Sequence, residues 1–298
     1  MKRDEIVIAE ALGTQVRIHA ARSTQLVEAA RLAQQSDATC TAALGRTMTV
    51  TALIASDLKQ PDEHVRVLIS GDGPIGVIRA EADGQGNVRG CGDHMNLYAS
   101  RADGHLDVGR VVGTNGTLRV TRDMGMKDPF TGTVELASGE IGEDFARYFA
   151  ISEQIPSVVS VGVLVNTDLS VAAAGGMIIQ LLPFAGEDVI EAVEAVAAKM
   201  KPMSEYINAG IDPEDLIKEL FPDASILAHK PLRWHCDCSK EHFRDSLAGL
   251  PEADLQEMIR EDHGAEAVCH YCRKSYYFTE AELQELLEMK HRAADRKH

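Results

Sequence analysis

Aromatic side chains are scarce in this sequence: Phe, Trp and Tyr together make up 5% of it, with a single Trp. The interior must therefore be built from Ala, Val, Ile and Leu. Hydrophobic residues are 45% and charged residues 26% of the chain, the balance of a globular protein rather than a disordered one. Positive charge is also in short supply. Lys and Arg number 30 against 46 Asp and Glu, a formal net charge of −16. Phosphate backbones are bound chiefly by Lys and Arg, so no nucleic-acid partner is expected. Long apolar runs are missing too. The most apolar stretch, Val171 to Ala185, contains Gln180 and Pro183 and is too short to span a bilayer. Ile6 to Ala9 is too short for a secretory h-region. No membrane association is expected, and the cytoplasm is the expected compartment. A phosphate-binding P-loop, internal repeats and low-complexity segments are absent from the sequence.

Two motifs of apparent interest dissolve on inspection. Gly71-Asp72-Gly73-Pro74-Ile75-Gly76 fits G-x-G-x-x-G after a strand, but Val77 to Ala80 continues as strand where a dinucleotide site needs a helix. It reads as a turn. The carboxylate pairs Glu143-Asp144 and Glu214-Asp215 sit in first helical turns, where they complement the helix dipole. No catalytic constellation remains, and an enzyme is not expected.

The first part of the chain reads as an α+β domain over residues 1–182. Strands are expected at Ile6 to Leu12, Val16 to Arg22, Val65 to Ser70, Ile75 to Ala82 and Asn87 to Gly90. Val108 to Val112 and Thr117 to Thr121 flank Asn115-Gly116 and read as a hairpin. Val158 to Val165 and Val171 to Leu182 read as buried central strands, and Thr24 to Gln34 and Thr41 to Leu58 as helices. A helical linker is expected over 183–230. There, Glu187 to Met200 spaces Val189, Ile190, Val193 and Val196 as one apolar stripe, and Asp212-Pro213 opens a second helix. Residues 231–298 form the third segment, a small metal-binding domain.

Cysteine is sparse, six in all, yet four lie within 37 positions: Cys236-Asp237-Cys238 and Cys269-His270-Tyr271-Cys272. Thiols stay reduced in the cytoplasm, so clustered cysteines there point to metal or redox chemistry before structural disulfides. Two close pairs separated by enough chain to fold back supply the four soft ligands of a closed tetrahedral zinc site, with no open position for catalysis. One Zn2+ per chain is expected on Cys236, Cys238, Cys269 and Cys272. The neighbouring His235, His242, His263 and His270 read as bystanders, and Cys40 and Cys91 as small core residues. Arg233, Lys240, Arg273 and Lys274 flank the pairs and are expected to favour thiolate.

A module of about 60 residues has a thin core and needs a staple. Structural zinc supplies on the order of 10–16 kcal/mol of folding free energy. Disulfides within the pairs would close loops worth only roughly 1.6–1.9 kcal/mol each, whereas one between the pairs would be worth roughly 3.8. Loss of the metal should therefore unfold the module.

The C-x-C and C-x-x-C pairs at the end of an α+β domain resemble the heat shock protein 33 family. The likeness continues upstream through Gly73-Pro74-Ile75, Ser152-Glu153-Gln154, Ala174-Gly175-Gly176, Gln180 and Pro183. It implies a redox-regulated, ATP-independent holdase whose reduced, zinc-bound form is inactive. In that family, oxidation forms two local disulfides, here Cys236–Cys238 and Cys269–Cys272, and releases zinc. The C-terminal region and connector then unfold, and the chain holds unfolding client proteins, as a homodimer when oxidised. Arg273 departs from the smaller residue typical of the family after the last cysteine. Two competing readings are a zinc-ribbon nucleic-acid binder, opposed by the net charge, and a thiol–disulfide oxidoreductase acting through Cys269 and Cys272. The latter needs its first cysteine at a helix N-terminus, whereas Arg273 to Phe278 reads as a strand.

Overall fold

A computed structural model describes residues 2–183 and 185–295, and the chain in it divides into two compact units, Met1–His235 and Cys236–His298. β1 (Glu5–Ala11) and β2 (Val16–Arg22) form an antiparallel pair closed by Gly13 in the left-handed region, φ 65°. α1 (Thr24–Gln34) and α2 (Ala38–Ala55) follow. Nearly every residue of α2 is buried, the pattern of a helix enclosed on all sides. Its threonines satisfy their own hydroxyls: Thr47, Thr49 and Thr51 donate to the carbonyls of Ala43, Gly45 and Thr47 at 2.8, 2.8 and 2.7 Å.

Next come β3 (His64–Ser70), β4 (Val77–Asp83), β5 (Asn87–Gly92), α3 (Val108–Val112), β6 (Thr117–Asp123) and β7 (Phe130–Glu135). α4 (Gly142–Tyr148) runs into a π-helical turn, Phe149–Glu153, before β8 (Ser157–Val165) and β9 (Val171–Leu181). The remainder of the first unit is α5 (Glu187–Ala197), α6 (Met203–Asn208), α7 (Pro213–Leu220), β10 (Ser225–Pro231) and β11 (Arg233–Trp234).

Two sheets result, one in the order β10-β1-β2-β9-β8 and one in the order β11-β5-β4-β3-β6-β7. α2 packs against both, on β8 and β9 of the first and on β3, β4 and β5 of the second. Gly45 permits that enclosure, since a Cβ there would stand 2.6 Å from Val27 Cγ1 and 3.0 Å from Val163 Cγ2. A second apolar cluster lies on the other face of the five-stranded sheet. There Val7, Ala9, Val16, Ile18, Met177 and Ile179 meet Val189, Val193, Met203, Leu216, Ile217 and Phe221 from α5–α7 and the turn after them. Arg22 pins this layer, donating to Asp212 at 2.5 Å, and Lys2 also pairs with Asp212.

Three sequence expectations are corrected. Val108 to Val112 is the helix α3, not a hairpin strand. Asp107 accepts a capping bond from the Arg110 N–H at 3.2 Å, and Gly113 (φ 85°) ends the helix after five residues. A five-residue apolar run has no periodicity that separates strand from helix. β8 is an edge strand rather than a central one, because α2 and α6 supply apolar cover from its faces. The stretch 183–230 carries the expected helices but ends in the strand β10, paired antiparallel with β1. The expected segment 231–298 includes residues 296–298, which lie outside the described residues.

One buried acid makes the first unit sensitive to pH. Asp4 accepts from the Leu26 N–H at 2.8 Å, while its Oδ1 is buried without a partner. Burial pushes its pKa up to about 7, against the opposing hydrogen bonds of the start of α1. A folded-state pKa above the unfolded one gives stability that is present below pH ~4 and lost as pH rises through ~7. Relative to wild type, Asp4→Asn should therefore gain on the order of 3–4 kcal/mol between pH 4 and pH 8. Urea unfolding followed by Trp234 fluorescence checks this, and a pH-independent difference contradicts it.

Candidate metal centre

The second unit is built around one small core. α8 (Lys240–Ala248) starts at Ser239, whose hydroxyl accepts from the His242 N–H at 3.1 Å. α9 (Glu252–Glu257) leads through a π-helical turn, Met258–Asp262, into the hairpin of β12 (Gly264–Val268) and β13 (Ser275–Thr279). α10 (Glu280–Asp295) closes the unit. Among the described residues its buried apolar cluster is Leu255, Tyr276, Phe278, Leu283 and Leu286, and a two-stranded hairpin is marginal alone.

Cys236 and Cys238 lie on the stretch entering α8, and Cys269 and Cys272 on the turn between β12 and β13. Their four sulfurs fall within 4.8 Å of one another, the one such metal-capable group among the described residues. Cys236 Sγ is 3.7 Å from Cys269 Sγ, and Cys238 Sγ is 3.3 Å from Cys272 Sγ. Four thiolates at about 2.3 Å from a common centre stand about 3.8 Å apart along a tetrahedron's edges. The donor set and its spacing thus fit a closed, soft-metal site. Cys269 is buried and the other three are half-buried.

The sulfurs are not equivalent. Burial pushes the Cys236 and Cys272 thiols up. Burial also acts on Cys238, but hydrogen bonds from Tyr276 and the neighbouring thiols outweigh it and hold Cys238 below the usual thiol value. Three of the flanking cations have partners of their own. Lys240 pairs with Glu282 at 2.6 Å, Arg233 donates to Asn87 at 2.7 Å, and Lys274 lies over the Tyr276 ring at 5.1 Å. Arg273 takes the left-handed backbone region, φ 59°, which costs a residue with a Cβ more than it costs glycine.

Tyr276 is the functional residue that sequence reasoning missed. Its hydroxyl donates to the Cys238 carbonyl at 2.7 Å and lies 3.3 Å from Cys238 Sγ. Its ring is buried against Phe243, 5.2 Å between centroids. It therefore ties the first cysteine pair to the core across 38 residues of sequence. Tyr276→Phe keeps the ring and removes the tie. Metal affinity, measured by chelator competition, should fall about tenfold or more; unchanged affinity would remove Tyr276 from the site.

His263 pairs with Glu280 at 3.5 Å, and His242 meets the Phe243 ring edge-to-face at 6.1 Å between centroids. Cys40 is buried, its thiol donates to the carbonyls of His94 and Leu97, and burial pushes it up to about 11. Cys91 is also buried.

These features define a class: an α+β protein with a C-terminal four-thiol knuckle. The family described as Hsp33 protein matches residues 4–279. The 33 kDa chaperonin of Staphylococcus aureus, strains Newman and COL, is 45% identical over 291 residues, covering 97% of this chain and 99% of the relative. A solved structure of the 33 kDa chaperonin (heat shock protein 33 homologue) from Thermotoga maritima superposes with a TM-score of 0.89 at 33% identity, covering 97% of this chain and 99% of that one. The chain belongs to the Hsp33 family, whose members are named as chaperones rather than enzymes.

Proposed function

We propose that this protein is a redox-regulated, ATP-independent holdase, switched on when Cys236, Cys238, Cys269 and Cys272 are oxidised. The observation that carries the reading is the convergence of those four sulfurs within 4.8 Å on a unit with so small a core. In the reduced state the four thiolates hold one Zn2+, which supplies the folding free energy the unit lacks. Each disulfide takes two electrons from a thiol pair, and one peroxide accepts them with two protons to leave two waters. Disulfides leave no thiolate to hold the metal, and the unit loses its staple.

The pairing we propose is Cys236–Cys238 and Cys269–Cys272. In the assembled site Cys236 Sγ lies 3.7 Å from Cys269 Sγ and Cys238 Sγ 3.3 Å from Cys272 Sγ, and all four sulfurs are within 4.8 Å of one another, so proximity in the closed site does not select the pairing. Once the knuckle opens, only partners two or three residues away remain neighbours. Peptide mapping should find these local links; a majority of Cys236–Cys269 or Cys238–Cys272 links contradicts the pairing.

The functional segments follow as residues 1–182 for client binding and dimerisation, 183–230 as linker and 231–298 as switch. Clients are unfolded or partly unfolded proteins. The cytoplasm is the proposed compartment and a homodimer the proposed oxidised assembly. A net charge of −16 keeps client complexes soluble and disfavours nucleic acid. Among the described residues no helix is long and apolar enough to cross a membrane. Peroxide-treated protein should suppress aggregation of a thermally unfolding test protein without ATP, and reductant with zinc should reverse this. Equal suppression by the reduced, zinc-loaded protein contradicts redox control.

A further inference from the structure

β10 is the outermost strand of the five-stranded sheet, and none of its residues is fully buried. It runs antiparallel to β1 from Ser225 opposite Glu10 to Pro231 opposite Glu5, with a bulge between Ile8 and Ala9. Exposed and half-buried residues alternate along it, and of its apolar side chains Ile226 and Ala228 are the ones packed on a core cluster. β1 is fixed by contrast. It pairs with β2 along its whole length, and Ile6, Val7, Ile8 and Ala9 are buried. Without β10, β1 becomes a sheet edge with a row of unpaired N–H and C=O groups. Natural edges are guarded by inward charge, proline or short length, yet β1 has neither charge nor proline between Glu5 and Glu10. β10 is its guard.

Beside that edge lies a seat for a cation. Lys230 Nζ donates to the Ser56 carbonyl at 2.6 Å and the Gly84 carbonyl at 3.4 Å. Ser56 caps the C-terminus of α2, where unpaired carbonyls favour positive charge. His229 Nδ1 lies 3.0 Å from the Glu5 carboxylate. Glu5, Ser56 and Gly84 all belong to the part of the unit that precedes residue 182, so these acceptors stay when the linker leaves.

We propose that the β1 edge, once vacated by β10, captures clients by strand addition. It takes an extended apolar segment antiparallel to β1, with a Lys or Arg in the seat that Lys230 fills in the resting chain. β10 is then both guard and template: a small residue, Ala228, opposes Ile8, and a cation follows two positions on. The acidic balance of the chain favours the same cationic segments. The inference rests on the reading that oxidation frees the linker.

The probe is a capped, fluorescent peptide with the sequence of residues 224–231, together with a scrambled version and one carrying Lys230→Glu. The oxidised, zinc-free full chain should bind the first at least about tenfold more tightly than either variant, the loss expected for a charge-assisted hydrogen bond. The reduced, zinc-loaded chain, with β10 in place, should bind it at least about tenfold more weakly. Hydrogen exchange should show amides of β1 exposed by oxidation and protected again by the peptide. Equal binding of the scrambled peptide, or β1 exchange that the peptide leaves unchanged, overturns the proposal. Aggregation suppression on the same sample separates it from the holdase reading. Suppression with client-bound β1 left unprotected overturns strand addition alone. Peptide protection of β1 without suppression upholds strand addition and overturns the holdase. Protection of β1 that rises with chain concentration, without peptide, assigns the edge to a second copy's β10 and also overturns the proposal.

Discussion

Cys269→Ser should cost the reduced protein its metal. One zinc per chain is expected in the wild type, and removing one of four thiolates should lower affinity by more than about 100-fold, beyond what outer-shell changes reach. The loss should spread through the whole second unit. A cluster of five buried apolar residues and a hairpin of two five-residue strands form the centre of its packing, and structural zinc accounts for on the order of 10–16 kcal/mol in units of this kind. Elemental analysis should show the loss of zinc, and amide dispersion of β12 and β13 should collapse with it. Cys40→Ser and Cys91→Ser should keep the metal, since both side chains lie buried in the first unit. An intact zinc stoichiometry in Cys269→Ser would sink the four-thiolate assignment.

Oxidation with mild heat should lower helicity and open the chain to protease after about residue 183, while residues 1–182 stay resistant. The physical asymmetry lies in the packing. α2 is enclosed by two sheets, whereas α5, α6 and α7 lie on one face of one sheet. One residue, His235, separates Cys236 from β11, which pairs with β5 through two residues, while β10 pairs with β1 through six. When the helices leave, they uncover their own Val189 and Val193 and also Val7, Val16, Ile18, Met177 and Ile179 on the sheet. Each such side chain contributes about 1.5–3 kcal/mol when buried, so the uncovered face is a strong site for other apolar chains. Binding of a fluorescent apolar dye should rise in step with proteolysis. Persistence of a resistant C-terminal half in a fully oxidised, zinc-free, client-holding protein would show that activity does not run through unfolding.

The metal centre was legible because its signal is local: two cysteine pairs, each spaced to offer two thiolates from one turn. Tyr276 was not, because its partner Cys238 is 38 residues away and a tyrosine in an aromatic run reads as core. The stripe of α5 was visible as helical periodicity, and the structure buries Val189 and Val193 from it while leaving Ile190 partly exposed. What that stripe covers was invisible, since the alternation in β1 and β2 does not tell which element covers each face. β10 escaped notice because Ile226-Leu227-Ala228 is a short apolar run near Pro222 and Pro231; pairing with β1, over 200 residues earlier, makes it a strand. β8 was misplaced for a related reason. An unbroken apolar run implies cover on both faces, which helices provide here, and carries no information on whether strands pair along both edges.

The most direct test is hydrogen exchange and zinc content followed together through peroxide treatment of the full chain. The account predicts that amides of α7 and β10 lose protection in step with zinc release, while those of α2 keep theirs. Zinc release that leaves α7 and β10 protected in a protein that has gained holdase activity would contradict it.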